Sequence, residues 1–331
     1  MTKALDEAAP LHEAAALREA ADAVRSADTI VTMGHVGPDG DSLGSMLAIA
    51  AGASNAGKEA YATFGEPFVV GKQYRYLDTS FLVRPGEVPD EIDLAVVVDT
   101  SVPSRLGSVL PIVERAGRVL VVDHHLAQDG ELDGIQLVDT TAGAAAQVVF
   151  RLLRELEWPL TPEIATALYT GIVTDTGRFQ YSATTSEIHH ITAALIDAGV
   201  EPQLVSRHVY EESPFAFLHV AGVVMNRAEL DPAKRLVWSV LTRRDLAKEK
   251  LRYEDADGLI DLIRIAEESD VACLLREIGD DAYKGSLRSR GRVDVAAIAT
   301  AFGGGGHHNA AGFVAKGDVG SIIGSIRDAL P

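Results

Sequence analysis

Four short segments of this sequence carry residue types that bind divalent cations: His35-Val36-Gly37-Pro38-Asp39-Gly40-Asp41, Asp99 closing LAVVVD, Asp123-His124-His125 closing RVLVVD, and Asp175 in GIVTDTGRF. Carboxylates and imidazoles mixed in this way are the donor set expected for manganese-type metal pairs. Two such ions about 3.5–4 Å apart share a water, lower its pKa and clamp a phosphate under attack. Taken singly, some segments have plainer explanations. HVGPDGD reads equally as a turn with a capping carboxylate, and a lone strand-end Asp as a cap. Asp-His-His in that position is much harder to explain as structure, and the set as a whole favours metal chemistry.

Such residues need a scaffold that aims them at one point. Apolar positions recur at helical spacing over residues 11–25, and 29–33 read as a short strand ending in Gly34-His35. A helix at 42–53, strands at 60–63, 94–98 and 119–122, and a helix at 142–156 follow. The strand runs are apolar almost throughout, as in parallel strands covered on both faces, which predicts an α/β domain with a doubly wound, mostly parallel sheet. Ligands bind such sheets at the carboxyl ends of the strands, the position of His35, Asp99 and Asp123. Asp175 follows a helical segment opened by Thr161-Pro162-Glu163, and all four segments are expected at one edge of the sheet.

Helical pattern continues over 186–198, and the more polar stretch beyond Gly199 predicts a linker at 191–215 between a domain of residues 1–190 and one of 216–331. In the second, strand patterns (RLVWSVLT, DVACLLRE, YKGSLRS) precede a helix at 294–302, a glycine loop and a helix from Asp318. That order predicts a smaller α+β domain.

Composition narrows the function. The 331 residues are 47% hydrophobic, enough for about two cored domains, and the formal net charge is -18. An acidic surface repels polyanions, so a nucleic-acid substrate is expected to be short or gripped locally. A lone cysteine, Cys273, excludes an intrachain disulfide framework. Residues 1–20 do not resemble a basic-then-apolar signal, and no apolar stretch reaches the roughly 20 residues of a membrane span. These features point to the cytoplasm.

With these motifs in view, the chain resembles the DHH phosphoesterase superfamily through HVGPDGD, Asp99, DHH at 123–125 and TDTGRF. SLRSRG at 286–291 and GGGGHHNAAGF at 303–313 resemble its DHHA1 substrate-binding domain. The resemblance implies one Mn2+ held by His35, Asp39 and Asp99 and a second by Asp41, Asp99, His124 and Asp175, with Asp99 bridging. It implies that His125 faces the substrate phosphate while Asp123 orients its neighbours, and that Arg288, Gly305, Gly306 and His307 grip the substrate. Arg105, six residues past Asp99, either joins that grip or caps the next helix. The glycine run by itself is weak: a flexible connection, or backbone N–H groups offered to an anion before a helix.

The implied activity is hydrolysis of RNA a few nucleotides long and of 3'-phosphoadenosine 5'-phosphate (PAP), with cyclic di-AMP or its linear product left open. A homodimer is a further expectation of the resemblance. The rivals are a single-strand DNA exonuclease, whose extra domains are absent here, a pyrophosphatase, and a nucleotide sensor without turnover, which would not need a bridged metal pair.

Overall fold

The structure is a computed structural model in which residues 11–126 and 130–331 are described. Of the acidic opening stretch, residues 1–10 lie outside the described residues. Two compact units meet in sequence at Glu212 and Ser213. Among the described residues, no helix is long and apolar enough to cross a membrane.

The first unit runs α1 (Leu11–Ser26), β1 (Thr29–Gly34), α2 (Gly40–Asn55), β2 (Glu59–Phe64), β3 (Leu94–Val98), α3 (Pro103–Leu106), α4 (Leu110–Arg115), β4 (Arg118–Asp123), β5 (Ile135–Val138), α5 (Ala145–Glu155), α6 (Pro162–Asp175), α7 (Ser186–Asp197) and α8 (Pro202–Ser206). Its five strands are all parallel, in the order β2-β1-β3-β4-β5. Alternate residues of the apolar strands serve opposite cores. Val96, Val98, Leu120 and Val122 pack with α1, α2, α5 and α6, whereas Ala95, Val97, Val31 and Met33 pack against Leu106, Val109, Ile112 and Val113. Burial on both faces explains why these strands show no polar alternation. The chain steps from β1 outward to β2 and returns to the other side of β1 at β3. That reversal opens a crevice at the carboxyl ends of β1 and β3, where open α/β sheets bind ligands.

Residues 191–212, expected to belong to a linker, fold onto the first unit. They comprise the end of α7, α8 and one π-helical turn (Arg207–Glu211), and Ile191, Leu195, Val200 and Val205 are buried in the first core. About one apolar residue per turn anchors a segment whose other positions are polar.

The second unit contains α9 (Phe215–Asn226), β6 (Glu229–Asp231), β7 (Leu236–Leu241), α10 (Arg243–Glu249), α11 (Leu259–Ile263), β8 (Val271–Gly279), β9 (Ala282–Ser289), α12 (Val295–Ala301), β10 (Gly305–His307), β11 (Ala310–Lys316) and α13 (Val319–Ala329). Its six-stranded sheet is mixed, in the order β10-β11-β9-β8-β7-β6, with β7 and β8 parallel. Cys273 and Leu275 face the core that includes Ile298 and Ile322, while Ala272 and Leu274 face the one that includes Val224 and Leu259. The glycine run is not a loop before a helix: it enters a tight hairpin of β10 and β11. A Cβ on Gly304 would lie 2.2 Å from the Gly312 carbonyl oxygen, and one on Gly306 2.5 Å from that of Ala310, so close strand approach demands glycine at both.

Candidate metal centre

The chain leaves β1 through His35, and the Val36 amide donates to the Arg105 carbonyl at 2.8 Å, fixing this turn against α3. His35 Nδ1 lies 3.0 Å from the Val36 carbonyl oxygen. A carbonyl only accepts, so Nδ1 carries a proton, and in the neutral form of the ring the Nε2 lone pair turns inward. Nε2 is buried without a hydrogen-bond partner, 3.3 Å from Asp99 Oδ2 and 3.9 Å from Asp39 Oδ2. Asp39 has two roles. Its Oδ1 caps α2 by accepting from the Asp41 and Ser42 amides at 3.0 and 3.1 Å, which leaves Oδ2 for the cluster. The turn and the cap are thus present together with the cluster.

Asp99 leaves β3 in the left-handed region, with φ 58, and its amide donates to the Val122 carbonyl at 3.0 Å. That conformation costs a non-glycine residue about 1–2 kcal/mol, less for a short polar side chain that bonds locally. It carries a buried carboxylate into the crevice with its two oxygens facing different partners. Oδ2 faces His35, and Oδ1 lies 3.5 Å from His124 Nε2.

β4 ends in Asp123, which is wholly buried. Its Oδ1 accepts from the backbone amides of His124 and His125 at 2.8 and 3.2 Å and from His125 Nδ1 at 2.7 Å. Asp123 therefore orients the two histidines. His124 Nδ1 lies 3.2 Å from the Ala142 carbonyl, which places the proton there and directs Nε2 toward Asp175 Oδ2 (3.3 Å), Asp99 Oδ1 (3.5 Å) and Asp41 Oδ2 (3.8 Å). A lone pair facing three carboxylates is repulsive unless a proton or a cation sits between them.

Asp41 is held by α5. Ala144 at the N-cap has no side chain to satisfy the first amides of that helix. The Asp41 carboxylate accepts from Ala145 N at 2.6 Å and Ala146 N at 2.8 Å instead. Asp175 comes from the last residue of α6, so the fourth segment reaches the strand-end crevice from a helix rather than from the sheet edge.

The electrostatics match this crowding. Burial, then Asp99 and Asp175, push the Asp41 carboxyl well above its usual range. Burial also raises Asp175, helped by Asp99 and Asp39, to about 7. Burial acts against the charge of Asp99 too, but His124 and His35 outweigh it and hold that carboxyl well below the usual value. His35 and His124 resist charging through burial, yet their carboxylate neighbours raise both. Two donor groups, His35 with Asp39 and Asp99 and Asp41 with His124 and Asp175, each have ligand atoms within 4.8 Å of one another. Separations of 3.3–3.9 Å are slightly wider than the roughly 3 Å between neighbouring ligands of an ion with ~2.1 Å bonds. The residues fit divalent-cation binding.

Known proteins decide the lineage. Residues 29–172 match the family model described as DHH family, N-terminal domain, and 236–330 match the DHHA1 domain. The bifunctional oligoribonuclease and PAP phosphatase NrnA of Thermus thermophilus is 34% identical over 287 residues, spanning 86% of this chain and 83% of that protein. The chain belongs to the DHH family. The Bacillus subtilis protein of the same name is 28% identical over 86% of this chain and 88% of its own. A Bacteroides fragilis protein described as exopolyphosphatase-related superposes with a TM-score of 0.87 at 25% identity, covering 96% of this chain and 95% of that one. RecJ of Thermus thermophilus, solved with Mn2+, shares the fold at a TM-score of 0.56 and 15% identity, covering 98% of this chain and 56% of RecJ.

The remaining candidate residues of this DHH protein fall in two places. Arg105 lies on α3, close enough for its charge to oppose protonation of His35. Arg288, Ala310 and His307 occupy one register row across β9, β11 and β10. Arg288 Nη1 donates to its neighbour's carbonyl at 3.0 Å, and its Nε lies 4.0 Å from Asp261 Oδ1. Gly305 shares β10 but not the steric demand of Gly304 and Gly306: a Cβ there would meet nothing within 4 Å. Sequence reading missed the carbonyls of Val36 and Ala142 and the amides of Ala145 and Ala146. Backbone groups leave no residue-type signal.

A pH dependence follows. Asp41 and Asp175 bind protons more tightly folded than unfolded, as do His35 and His124. Wherever the native state binds more protons than the unfolded chain, stability falls as pH rises. The metal-free protein should therefore lose stability from about pH 4, the ordinary carboxylate value, through the Asp175 value of about 7. The depressed Asp99 contributes its stability already below that window. Melting in EDTA from pH 5.5 to 8 should show a falling Tm, and added Mn2+ should restore more at the higher pH. A Tm that rises over this range in EDTA contradicts the crowded-carboxylate account.

Proposed function

We propose that this enzyme is a two-metal phosphoesterase that cleaves RNA of a few nucleotides to mononucleotides and PAP to AMP. The observation that carries the reading is the convergence of two donor groups on Asp99, with one carboxylate oxygen facing each. His35, Asp39 and Asp99 would hold one cation, and Asp41, Asp99, His124 and Asp175 the other. The mixed donor set suits Mn2+, two per chain. A divalent pair there supplies Lewis acidity toward a phosphoryl oxygen and lowers the pKa of a water. His125, whose Nδ1 lies 2.7 Å from Asp123 Oδ1, would donate toward charge developing on phosphoryl oxygens. Arg288 and the β10 backbone, including Gly305, Gly306 and His307, supply the grip on phosphate, and Arg105 adds positive charge beside His35. The curated NrnA relatives support the substrate class by name. The single cysteine, buried Cys273, suits a reducing cytoplasm.

The test is a parallel assay with Mn2+ on PAP, a dinucleotide RNA, a thirty-nucleotide RNA, long single-stranded DNA, cyclic di-AMP and pyrophosphate. PAP and the dinucleotide should be hydrolysed. Because the chain carries a net charge of -18, kcat/KM on the long RNA should be at least about tenfold lower. Equal rates on the two RNAs would favour a processive exonuclease, and turnover of pyrophosphate alone would reassign the substrate.

A further inference from the structure

A cavity of about 340 Å³ lies within the first unit beside the turn that follows Asp175. Tyr169, Val173, Phe179 and Tyr210 wall it, and Arg178 and Gln203 add polar groups. Its size is at the lower end of small-molecule sites, about 300–1,000 Å³, which suits one nucleoside better than a macromolecule.

The backbone here is strained in a specific way. Gly177, Arg178 and Phe179 have consecutive positive φ values of 57, 63 and 63. Two consecutive non-glycine residues in that region are disfavoured for L side chains. Hydrogen bonds hold them there: Arg178 N to Val173 O at 2.8 Å, Phe179 N to Thr176 Oγ1 at 3.1 Å and Gln180 N to Thr176 O at 3.0 Å. Strain that the surroundings over-determine in this way gathers at ligand sites. Its effect is to fold Arg178 and Phe179 back along α6 to the cavity. The Arg178 guanidinium sits 4.2 Å over the Tyr210 ring, whose hydroxyl donates to the Val173 carbonyl at 3.1 Å. The cavity shares the C-terminal end of α6 with the metal cluster. Val173, on the cavity wall, and Asp175 lie two residues apart near the end of that helix.

We propose that this cavity is a base subsite, taking the nucleobase of the substrate's second nucleotide, with Arg178 beside that nucleotide's ribose-phosphate edge. The assignment rests on the phosphoesterase reading above and extends it. Aromatic side chains accept any base by stacking, and an arginine adds cation–π attraction and a phosphate contact. In a dinucleotide the attacked phosphate still carries a second nucleoside, whereas in PAP it carries none. The subsite therefore separates the two substrate classes and gives short RNA a hold that the acidic surface does not offer.

The experiment compares wild type, Gln203→Trp and Arg178→Gln on three substrates: a dinucleotide, the same dinucleotide with an abasic second residue, and PAP. Metal content and melting temperature are checked for each protein. Gln203 is exposed, and Trp there fills the cavity without removing a core contact. In wild type the abasic substrate should lose about tenfold in kcat/KM, within the range for one stacked base. In Gln203→Trp that penalty should vanish, because the intact dinucleotide falls to the abasic level. The ratio of dinucleotide to PAP activity should fall by about the same factor, with a smaller fall in Arg178→Gln. An abasic penalty of equal size in all three proteins overturns the subsite, as does no penalty in a wild type that hydrolyses both dinucleotide and PAP. So does an equal loss on dinucleotide and PAP in the variants. A wild type that hydrolyses neither substrate overturns the phosphoesterase reading and the subsite with it.

Discussion

Asp99→Asn should abolish hydrolysis while leaving the fold in place. Asn tolerates the left-handed backbone that Asp99 adopts at φ 58, so the substitution tests the carboxylate rather than the turn. One oxygen of Asp99 faces His35 and the other faces His124. Losing that charge weakens both donor groups at once, so the rate loss should exceed the roughly 10²–10³-fold of a single lost transition-state donor. Metal content measured on the purified variant should fall in parallel, and the circular dichroism spectrum should match wild type. Near-normal turnover at saturating Mn2+ would overturn the proposed bridging role of Asp99.

Asp175→Asn should also lose activity, but with the opposite effect on the metal-free fold. The Asp175 carboxyl is raised to about 7 by burial, with Asp99 and Asp39 adding to it. Its folded state therefore favours the proton, and above pH 7 the ionised form is a liability. A carboxyl raised from near 4 to about 7 costs up to about 4 kcal/mol once ionised, a net figure in which the attraction of His124 is already counted. Asn cannot ionise, so in EDTA at pH 8 the variant should melt several degrees above wild type. Saturating Mn2+ should reverse the order, because only wild type gains the full stabilisation of binding. A variant that melts below wild type in EDTA at pH 8 would show that the carboxylate stabilises the metal-free fold. Together the two substitutions separate a carboxylate that the fold tolerates from one that it sustains only for its ligand.

Much of this was legible in the sequence because the signals are local. LAVVV and RVLVV announce buried parallel strands by composition alone, and the strand-end residues His35, Asp99 and Asp123 follow from where those runs stop. Donor types need no structure to be recognised, and Asp39 could be read as a cap as readily as a cluster residue because it is both. Three features were not legible. Asp41 satisfies amides more than 100 residues away, at Ala145 and Ala146, and no local pattern reports a bond of that kind. The polar stretch after Gly199 looked like a linker because its few anchoring residues are spread one per turn among polar ones. The glycines at 303–306 looked like a loop because the close strand approach that demands Gly304 and Gly306 is made by Ala310, Ala311, Gly312 and Phe313, past the turn.

The sequence by itself determined which residues have the donor types for the proposed chemistry and which strands deliver most of them, because side-chain type and hydrophobic period act over a few residues. Only the tertiary structure decided how the set is shared. Each oxygen of Asp99 faces its own histidine, and the Ala142 carbonyl aims the His124 ring. These depend on separations of 3.2–3.5 Å between segments distant in the chain, and the packing of α2, α5 and α6 against the sheet sets them.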